Sequence, residues 1–172
     1  MKNKRLIIGI AVTLIVVVGG VYYVRSSNRI VGGEVAGQEY NPAINPADFS
    51  TAITNKYFSL PAGKVFIYEG QTADGLERVE ITIPGDTKKI MGVQTLVYRD
   101  KVTLNDQLIE DTRDYLAQDK EGNVWYFREE VDNYENGKLR DHHGSWIAGV
   151  DGAMPGIWMK ANPKVGDTYR QE

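Results

Sequence analysis

The chain has 172 residues, with 20 Lys and Arg against 23 Asp and Glu, and it contains no cysteine. The lack of cysteine excludes a disulfide framework, a thiolate nucleophile, a cysteine metal site and a lipid anchor on cysteine. Three basic residues, Lys2, Lys4 and Arg5, lie at the N-terminus, and the others are scattered among more numerous acids, which argues against binding to nucleic acid.

The first predicted element is a membrane-spanning helix. Residues 6–24 (LIIGIAVTLIVVVGGVYYV) contain no charge, and a helix of this length spans roughly the 30 Å of a bilayer. The basic residues before it favour a cytoplasmic N-terminus. We therefore expect residues 1–25 to be a signal-anchor that holds a single-pass protein in the cell membrane, with its C-terminal domain extracytoplasmic. A cleaved signal peptide is the alternative, for which Ser26 and Ser27 are the small residues at the end of the segment.

A tether and a short helix are expected next. Residues 26–44 (SSNRIVGGEVAGQEYNPAI) show neither helical nor strand periodicity, which is typical of a flexible tether. Asn45 followed by Pro46 is typical of a helix start, so a short helix through about Ile53 is expected. Residues 45–172 suffice for one modest core, and we expect them to form an exported β domain.

The rest of the chain has the character of β-strands. Residues 76–83 alternate between apolar and polar, with Val79, Ile81 and Ile83 on one face, as in a half-buried strand. Further strands are expected at Val65 to Tyr68, Val93 to Leu104, Gln107 to Ala117, Val124 to Tyr134, and Lys138 to Ile147.

Tight turns separate these strands. Asn105-Asp106 and Asn136-Gly137 suit two-residue hairpins, and Asp119 to Asn123 suits a longer turn with Gly122 in the left-handed conformation. Strands joined by such short loops pair antiparallel, and their many charges suit a solvated sheet face. We therefore expect a mainly β fold: an antiparallel meander forming a curved sheet or an open or half barrel, preceded by one transmembrane helix and a short helix.

After Trp146 the sequence is rich in Gly and Pro and shows no periodicity. Gly166 to Arg170 is typical of a turn that opens another strand. Because the sequence stops at Glu172, soon after this turn, a β domain truncated at its C-terminus is expected.

Two adjacent histidines, His142 and His143, are polar site candidates together with Asp151. Adjacent residues on a strand point to opposite faces, so both histidines can bind one metal only where the backbone bends, which Gly144 permits. Such a site also needs two or three more ligands. We interpret the histidines as an exposed strand end, and no metal or cofactor is expected.

Two pairs of acids, Glu110 with Asp114 and Glu129 with Glu130, match the residue types of a glycosidase acid and nucleophile. A charged, solvated sheet surface explains them better. The chain has no G-x-S-x-G elbow and no glycine-rich phosphate loop. No catalytic residue is therefore assigned, and a non-enzymatic protein is expected.

Aromatic residues are the most informative side chains. Trp125, Tyr126 and Phe127 are consecutive in one predicted strand, so each face of that strand receives a ring, and Trp146 and Trp158 follow. Core packing accounts for one face. The other face requires a helix, another strand layer, an apolar ligand or a partner surface. These five aromatics are the candidate ligand or partner surface.

Segment 57–70 (YFSLPAGKVFIYEG) resembles the opening of uncharacterised exported bacterial β-rich proteins, whose pattern is Y-F-P-L-x-x-G-x-x-W-x-Y-x-G. Ser59 and Phe66 replace the usual Pro and Trp, and Pro61 is displaced. The likeness covers roughly residues 42–172 and includes AQD at 117–119, GNVWYF at 122–127, ENGK at 135–138, GSW at 144–146, AGVDGA at 148–153 and NPKVGD at 162–167. Such proteins look like lipoproteins or anchored envelope proteins of unknown role, and in them the β domain continues beyond the equivalent of residues 169–172. Because this chain has no cysteine to carry a lipid, the resemblance implies an anchored envelope protein.

These features lead to three functional hypotheses. The first is a membrane-anchored, extracytoplasmic module that binds a lipid-like or other apolar ligand through its aromatic face. The second is an envelope protein that uses this face for protein–protein interaction or as a scaffold. The third is a metal- or carboxylate-dependent hydrolase that uses the histidines and nearby acids.

Overall fold

The computed structural model of the protein describes residues 40–172. The predicted signal-anchor and most of the predicted tether lie outside these residues. Within the described part of the chain, no helix is both long and apolar enough to cross a membrane. Residues 40–44, which the sequence assigns to the tether, contact the domain: Tyr40 Oη donates to the Pro155 carbonyl oxygen at 2.9 Å, and Ile44 packs against the core.

Strands dominate the described residues. Pro46–Asp48 is a single turn of 3-10 helix. The strands are β1 (Phe49–Ser50), β2 (Thr54–Asn55), β3 (Phe58–Ser59), β4 (Val65–Gln71), β5 (Leu76–Thr82), β6 (Thr87–Ile90), β7 (Val93–Leu104), β8 (Gln107–Asp119), β9 (Val124–Glu135), β10 (Lys138–Asp141), β11 (Trp146–Ile147) and β12 (Gly156–Met159).

One large sheet has the order β10-β9-β8-β7-β5-β4, and every pairing in it is antiparallel. The short strands β1, β6, β11 and β12 extend this sheet, and β2 pairs with β3 in a separate hairpin. Because β4 and β10 form its two ends, the sheet does not close on itself. The predicted mainly β, antiparallel meander is therefore confirmed.

The predicted turns are confirmed as well. β7 joins β8 through Asn105 and Asp106, whose φ angles are 49° and 63°. β9 joins β10 through Asn136 and Gly137, with φ angles of 52° and 72°. Positive φ at both central residues is typical of a type I′ turn, and Asn, Asp and Gly tolerate it best. In the longer turn between β8 and β9, Gly122 has a φ of 90°.

The helix after the tether is shorter than expected. Asn45 caps it, because its side-chain oxygen accepts a hydrogen bond from the Ala47 N–H at 3.3 Å. The helix ends at Asp48 rather than near Ile53, since the next residues form β1 and pair with the end of β8. The helix therefore ends at Asp48 because Phe49 and Ser50 pair with the sheet instead of continuing it.

The expected strand from Lys138 to Ile147 is wrong as a single element. β10 ends at Asp141, and a turn follows in which the Ser145 N–H donates to the His142 carbonyl oxygen at 3.1 Å. Gly144 has a φ of 102°, which permits this bend, and β11 begins only after it. The strands β6 and β12 lie where the sequence predicted none.

The C-terminal residues form a turn without a following strand. The Asp167 N–H donates to the Lys164 carbonyl oxygen at 3.0 Å, which is the turn expected there. Instead of a strand, one backbone hydrogen bond connects this segment to β12, from the Ile157 N–H to the Arg170 carbonyl oxygen at 2.8 Å.

Cross-strand register sorts the side chains of the long strands into two faces, because directly opposed residues share a face. One face contains a cluster of core residues, whereas other buried apolar residues, among them Ile81, Leu96 and Leu116, lie on the opposite face. The residues of this cluster are Ile90, Val93, Val97, Tyr115, Ala117, Phe127 and Ala148. Beyond the core, arginines on this face pair with acids: Arg99 with Asp111 at 2.5 Å, Arg113 with Asp132 at 3.1 Å, and Arg128 with Glu130 at 2.5 Å. We call it the ion-paired face.

The opposite face carries acids beside aromatic rings. Tyr98 on β7 lies opposite Asp114 on β8, and Asp114 lies opposite Glu129 on β9. Tyr126 lies opposite Leu116, so its ring is on the same face. We call it the acid–aromatic face, defined by Tyr98, Asp100, Glu110, Asp114, Tyr126 and Glu129.

Candidate functional site

Three neighbouring strands place four acids on the acid–aromatic face. Asp114 is directly opposite Glu129, and such like charges repel when both are ionised. Asp100 is opposite Thr112, which lies between Glu110 and Asp114 on the same face of β8. Asp100 is therefore the diagonal neighbour of both acids on β8. The register, rather than sequence adjacency, brings the acids together.

Burial changes the protonation of these acids. Asp114 is only 3% exposed, and burial followed by the charge of Asp100 raises the pKa of Asp114 well above its ordinary value. Burial, then the charge of Glu110, raises the pKa of Asp100 to about 7. Burial, then the charge of Glu172, raises the pKa of Glu129 to about 7. Each shift has the sign expected for carboxyls that lack water and a cation.

Cations are missing from the surroundings of these acids in the described part of the chain. None of the ion pairs within residues 40–172 includes Asp100, Glu110, Asp114 or Glu129. Neutral hydroxyls bind two of them: Tyr126 Oη donates to Asp114 Oδ1, and Thr112 Oγ1 donates to Glu110 Oε1 at 2.9 Å. The face is thus acidic and without a basic partner, unlike the ion-paired face behind it.

Aromatic rings surround Tyr126 on this face. Its ring makes edge contacts with Trp146 at 4.9 Å and with Trp158 at 4.7 Å between ring centroids. Trp158 in turn contacts Tyr98 at 5.9 Å and Phe58 at 5.9 Å. Burial raises the pKa of both Tyr98 and Tyr126, so both hydroxyls are neutral donors at physiological pH. The acids therefore lie beside a cluster of indole and phenol rings.

Two buried polar atoms near this cluster have no hydrogen-bond partner. They are Asp100 Oδ1 and Trp146 Nε1, and within residues 40–172 no other buried side-chain nitrogen or oxygen lacks one. Trp146 lies opposite Glu129 across β11 and β9. Buried polar groups are paired in the great majority of cases, so each of these two atoms calls for a partner such as a ligand, an ion or a water molecule. One atom accepts a hydrogen bond and the other donates one.

The structure divides the five candidate aromatics between the two faces. Tyr126, Trp146 and Trp158 contact one another on the acid–aromatic face. Trp125 and Phe127 lie on the core side, where the ring of Phe49 contacts both at centroid distances of 6.0 and 5.4 Å. Phe127 is fully buried and Tyr126 is 4% exposed, so neither is a surface residue.

A hydrogen bond from its indole nitrogen fixes the side chain of Trp125. Trp125 Nε1 donates to Asp119 Oδ2 at 2.8 Å. The same carboxylate accepts from the Asn123 backbone N–H at 2.8 Å and from Asn123 Nδ2 at 2.9 Å. Asp119 thus fixes the turn between β8 and β9 and orients the ring that follows it.

The polar candidates His142, His143 and Asp151 lie in two separate turns. His142 Nδ1 is 2.8 Å from Asp132 Oδ1 and 3.0 Å from the Val131 carbonyl oxygen. Asp151 lies with a φ of 53° in the turn in which the Ala153 N–H donates to the Val150 carbonyl oxygen.

Within residues 40–172, no group of three or more His, Cys, Asp and Glu is arranged to hold a metal ion. The His143 backbone N–H donates to Asp141 Oδ1 at 3.0 Å. This bond, then the Arg140 side chain, lowers the pKa of Asp141 to about 2. The turn is thus tied together by its own hydrogen bonds.

Sequence reasoning named three of the four acids but paired them differently. Glu129 and Glu130 lie on opposite faces, because Glu130 accepts from Tyr115 Oη at 3.0 Å and pairs with Arg128. The pairing of Asp114 with Glu129 depends on a bulge between Tyr115 and Leu116. Alternation along β7 could have placed Asp100 on this face. The pairing of Asp114 with Glu129 on β9 could not be predicted without knowing where the bulge lies.

Comparison with protein-family models, with curated proteins and with solved structures finds no significant match to this chain.

Proposed function

We propose that this protein is a binding module and that its ligand site is the acid–aromatic face. The ligand that fits is a small organic cation, a quaternary or primary ammonium. The observation that carries the proposal is the unpartnered, buried Asp100 Oδ1 within a group of acids that has no basic partner. An ammonium ion supplies the positive charge that these carboxyls lack.

Electrostatics support a cation rather than an anion or a neutral apolar molecule. Asp100 and Glu129 have pKa values of about 7, so a bound positive charge favours their ionised forms and is itself attracted by them. The partly exposed rings of Trp146 and Trp158 add negative quadrupole faces, which attract ammonium groups. Acids and rings together are the usual chemistry of ammonium recognition.

The proposal keeps the expected location of the protein. Residues 1–25 anchor it in the cell membrane, and the β domain lies on the extracytoplasmic side. In this position both a lipid headgroup and a free amine carry the ammonium chemistry that the site recognises.

A titration followed by tryptophan fluorescence tests the proposal, since Trp146 and Trp158 belong to the site. The full chain in an uncharged maltoside detergent is titrated with choline and, separately, with the uncharged tert-butyl analogue of choline. We expect saturable binding of choline and weaker binding of the analogue. Loss of one carboxylate contact in Glu129→Gln should weaken choline binding about tenfold, which corresponds to about 1.4 kcal/mol.

Glu130→Gln is the matched control, because Glu130 neighbours Glu129 in sequence but lies on the ion-paired face. This variant should bind choline as the wild type does. Equal affinity for choline and its uncharged analogue, unchanged by Glu129→Gln, would instead support the apolar-ligand hypothesis and exclude cation recognition. An equal loss of choline affinity in Glu129→Gln and Glu130→Gln would also contradict the proposal, because it would reflect a general disturbance of β9. Vesicles with and without choline headgroups then distinguish a lipid from a free amine.

A further inference from the structure

β4 (Val65–Gln71) is the end strand of the large sheet. Within residues 40–172 it pairs with β5 alone, so its outer backbone N–H and C=O groups bond to no other strand there. An edge of this kind is a template for another strand. Most proteins protect such edges with lysine, proline or a bulge. β4 contains neither lysine nor proline, and its pairing with β5 has no register shift.

Exposed apolar side chains accompany this open edge. Val65 is 53% exposed and Ile67 is 52% exposed, and as alternate residues they lie on the same face of the strand. Strand addition would cover both side chains while it satisfies the backbone groups beside them. The edge therefore offers apolar contacts and hydrogen bonds in one place.

The sequence of β4 is complementary to itself in the antiparallel direction. In a two-fold register centred on Phe66, Val65 of each copy lies opposite Ile67 of the other, so the exposed apolar residues cover one another. The two ends of the segment also carry opposite charges, Lys64 before the strand and Glu69 near its end. In the antiparallel register Lys64 of one copy lies opposite Tyr68 of the other, next to Glu69, whose carboxylate already pairs with Arg78 at 2.8 Å. Parallel pairing in register would instead place the two Lys64 ammonium groups side by side, where they repel.

We propose that two copies of this chain associate through β4, extending the sheet across a two-fold axis at Phe66. The occupant of the edge is thus a second copy of the same chain. The partner strand adds to the outer side of β4, and β5 separates β4 from the ligand-site residues Tyr98 and Asp100 on β7.

Cysteine crosslinking of the full chain tests the proposal on a background that has no native cysteine. Phe66→Cys places two thiols opposite each other at the axis, where antiparallel Cα separations of about 4.5 to 5.5 Å suit a disulfide. Under mild oxidation in the membrane, most of this variant should shift from the monomer band to the dimer band. Leu139→Cys is the control, since Leu139 is 51% exposed on β10 at the other end of the sheet.

A second pair of variants tests the register without altering Phe66. Val65→Cys and Ile67→Cys should form a mixed disulfide when co-expressed, and each should crosslink poorly alone. Equal crosslinking of Phe66→Cys and Leu139→Cys, with no preference in the co-expressed pair, would overturn the proposal, because it would indicate association elsewhere. The absence of any dimer from all four variants would overturn it as well.

Discussion

Acidification from about pH 8 to about pH 5 is expected to stabilise the domain, by on the order of 2 to 4 kcal/mol in free energy of unfolding. The folded-state pKa of Asp100 is about 7, against an ordinary value of 3.8. The folded protein therefore binds a proton that the unfolded chain has already released over this range. This stabilisation is fully present below about pH 4 and is lost as the pH rises through about 7. Glu129, with a pKa of about 7, acts in the same direction.

Asp100→Asn separates this effect from other titrations. The amide cannot ionise, so the variant should have a higher urea midpoint than the wild type at pH 8, with the difference shrinking towards pH 5. Asp106→Asn is the control, because Asp106 is an exposed turn residue whose φ of 63° suits asparagine equally well. A wild-type urea midpoint that falls on acidification from pH 8 to pH 5 would contradict the assigned protonation of the acids.

Phe127→Ala is expected to lower the free energy of unfolding by about 3 to 5 kcal/mol. Phe127 is fully buried, lies in the core cluster and makes an edge contact with Phe49. Truncation removes its buried apolar area and leaves a cavity that the paired strands cannot close. Urea unfolding followed by circular dichroism measures the loss.

The control for this prediction is Leu139→Ala, because half of the Leu139 side chain is already exposed. That variant should change the urea midpoint little. A small effect of Phe127→Ala, comparable to that of the control, would mean that β9 does not contribute its ring to the core as described.

Local signals were sufficient for much of the fold. The dipeptides Asn105-Asp106 and Asn136-Gly137 predicted two hairpins because few residues tolerate positive φ, and the structure has both. The alternation of Val79, Ile81 and Ile83 predicted one buried face, and these residues are 5%, 2% and 1% exposed. Where local geometry dictates the conformation, sequence reasoning was enough.

Features that depend on tertiary pairing could not be predicted in this way. β1 forms only because residues distant in sequence, at the end of β8, pair with it, so the helix after Asn45 stops early. β6 has the sequence TKKI, which shows no alternation, and it is a strand because β7 pairs with it. Neither segment carries a sufficient signal of its own.

In the candidate site, too, the features set by local sequence were predicted and those set by strand pairing were not. Consecutive aromatics at 125–127 correctly predicted rings on both faces of β9, and Trp146 and Trp158 do join Tyr126. The acids were predicted to be a solvated surface, yet Asp114 is 97% buried. Its environment depends on which residues of β7 and β9 lie opposite it, and a bulge at Tyr115/Leu116 shifts that register.

The most direct test of the ligand site is a pH titration of the Glu129 carboxyl carbon by NMR, with the signal assigned by its absence in Glu129→Gln. The predicted midpoint lies near the pKa of about 7 and falls when choline is added, because a bound cation favours the ionised form. A midpoint near the ordinary value of 4.5, unmoved by choline, would contradict the assignment of the acid–aromatic face as a cation site.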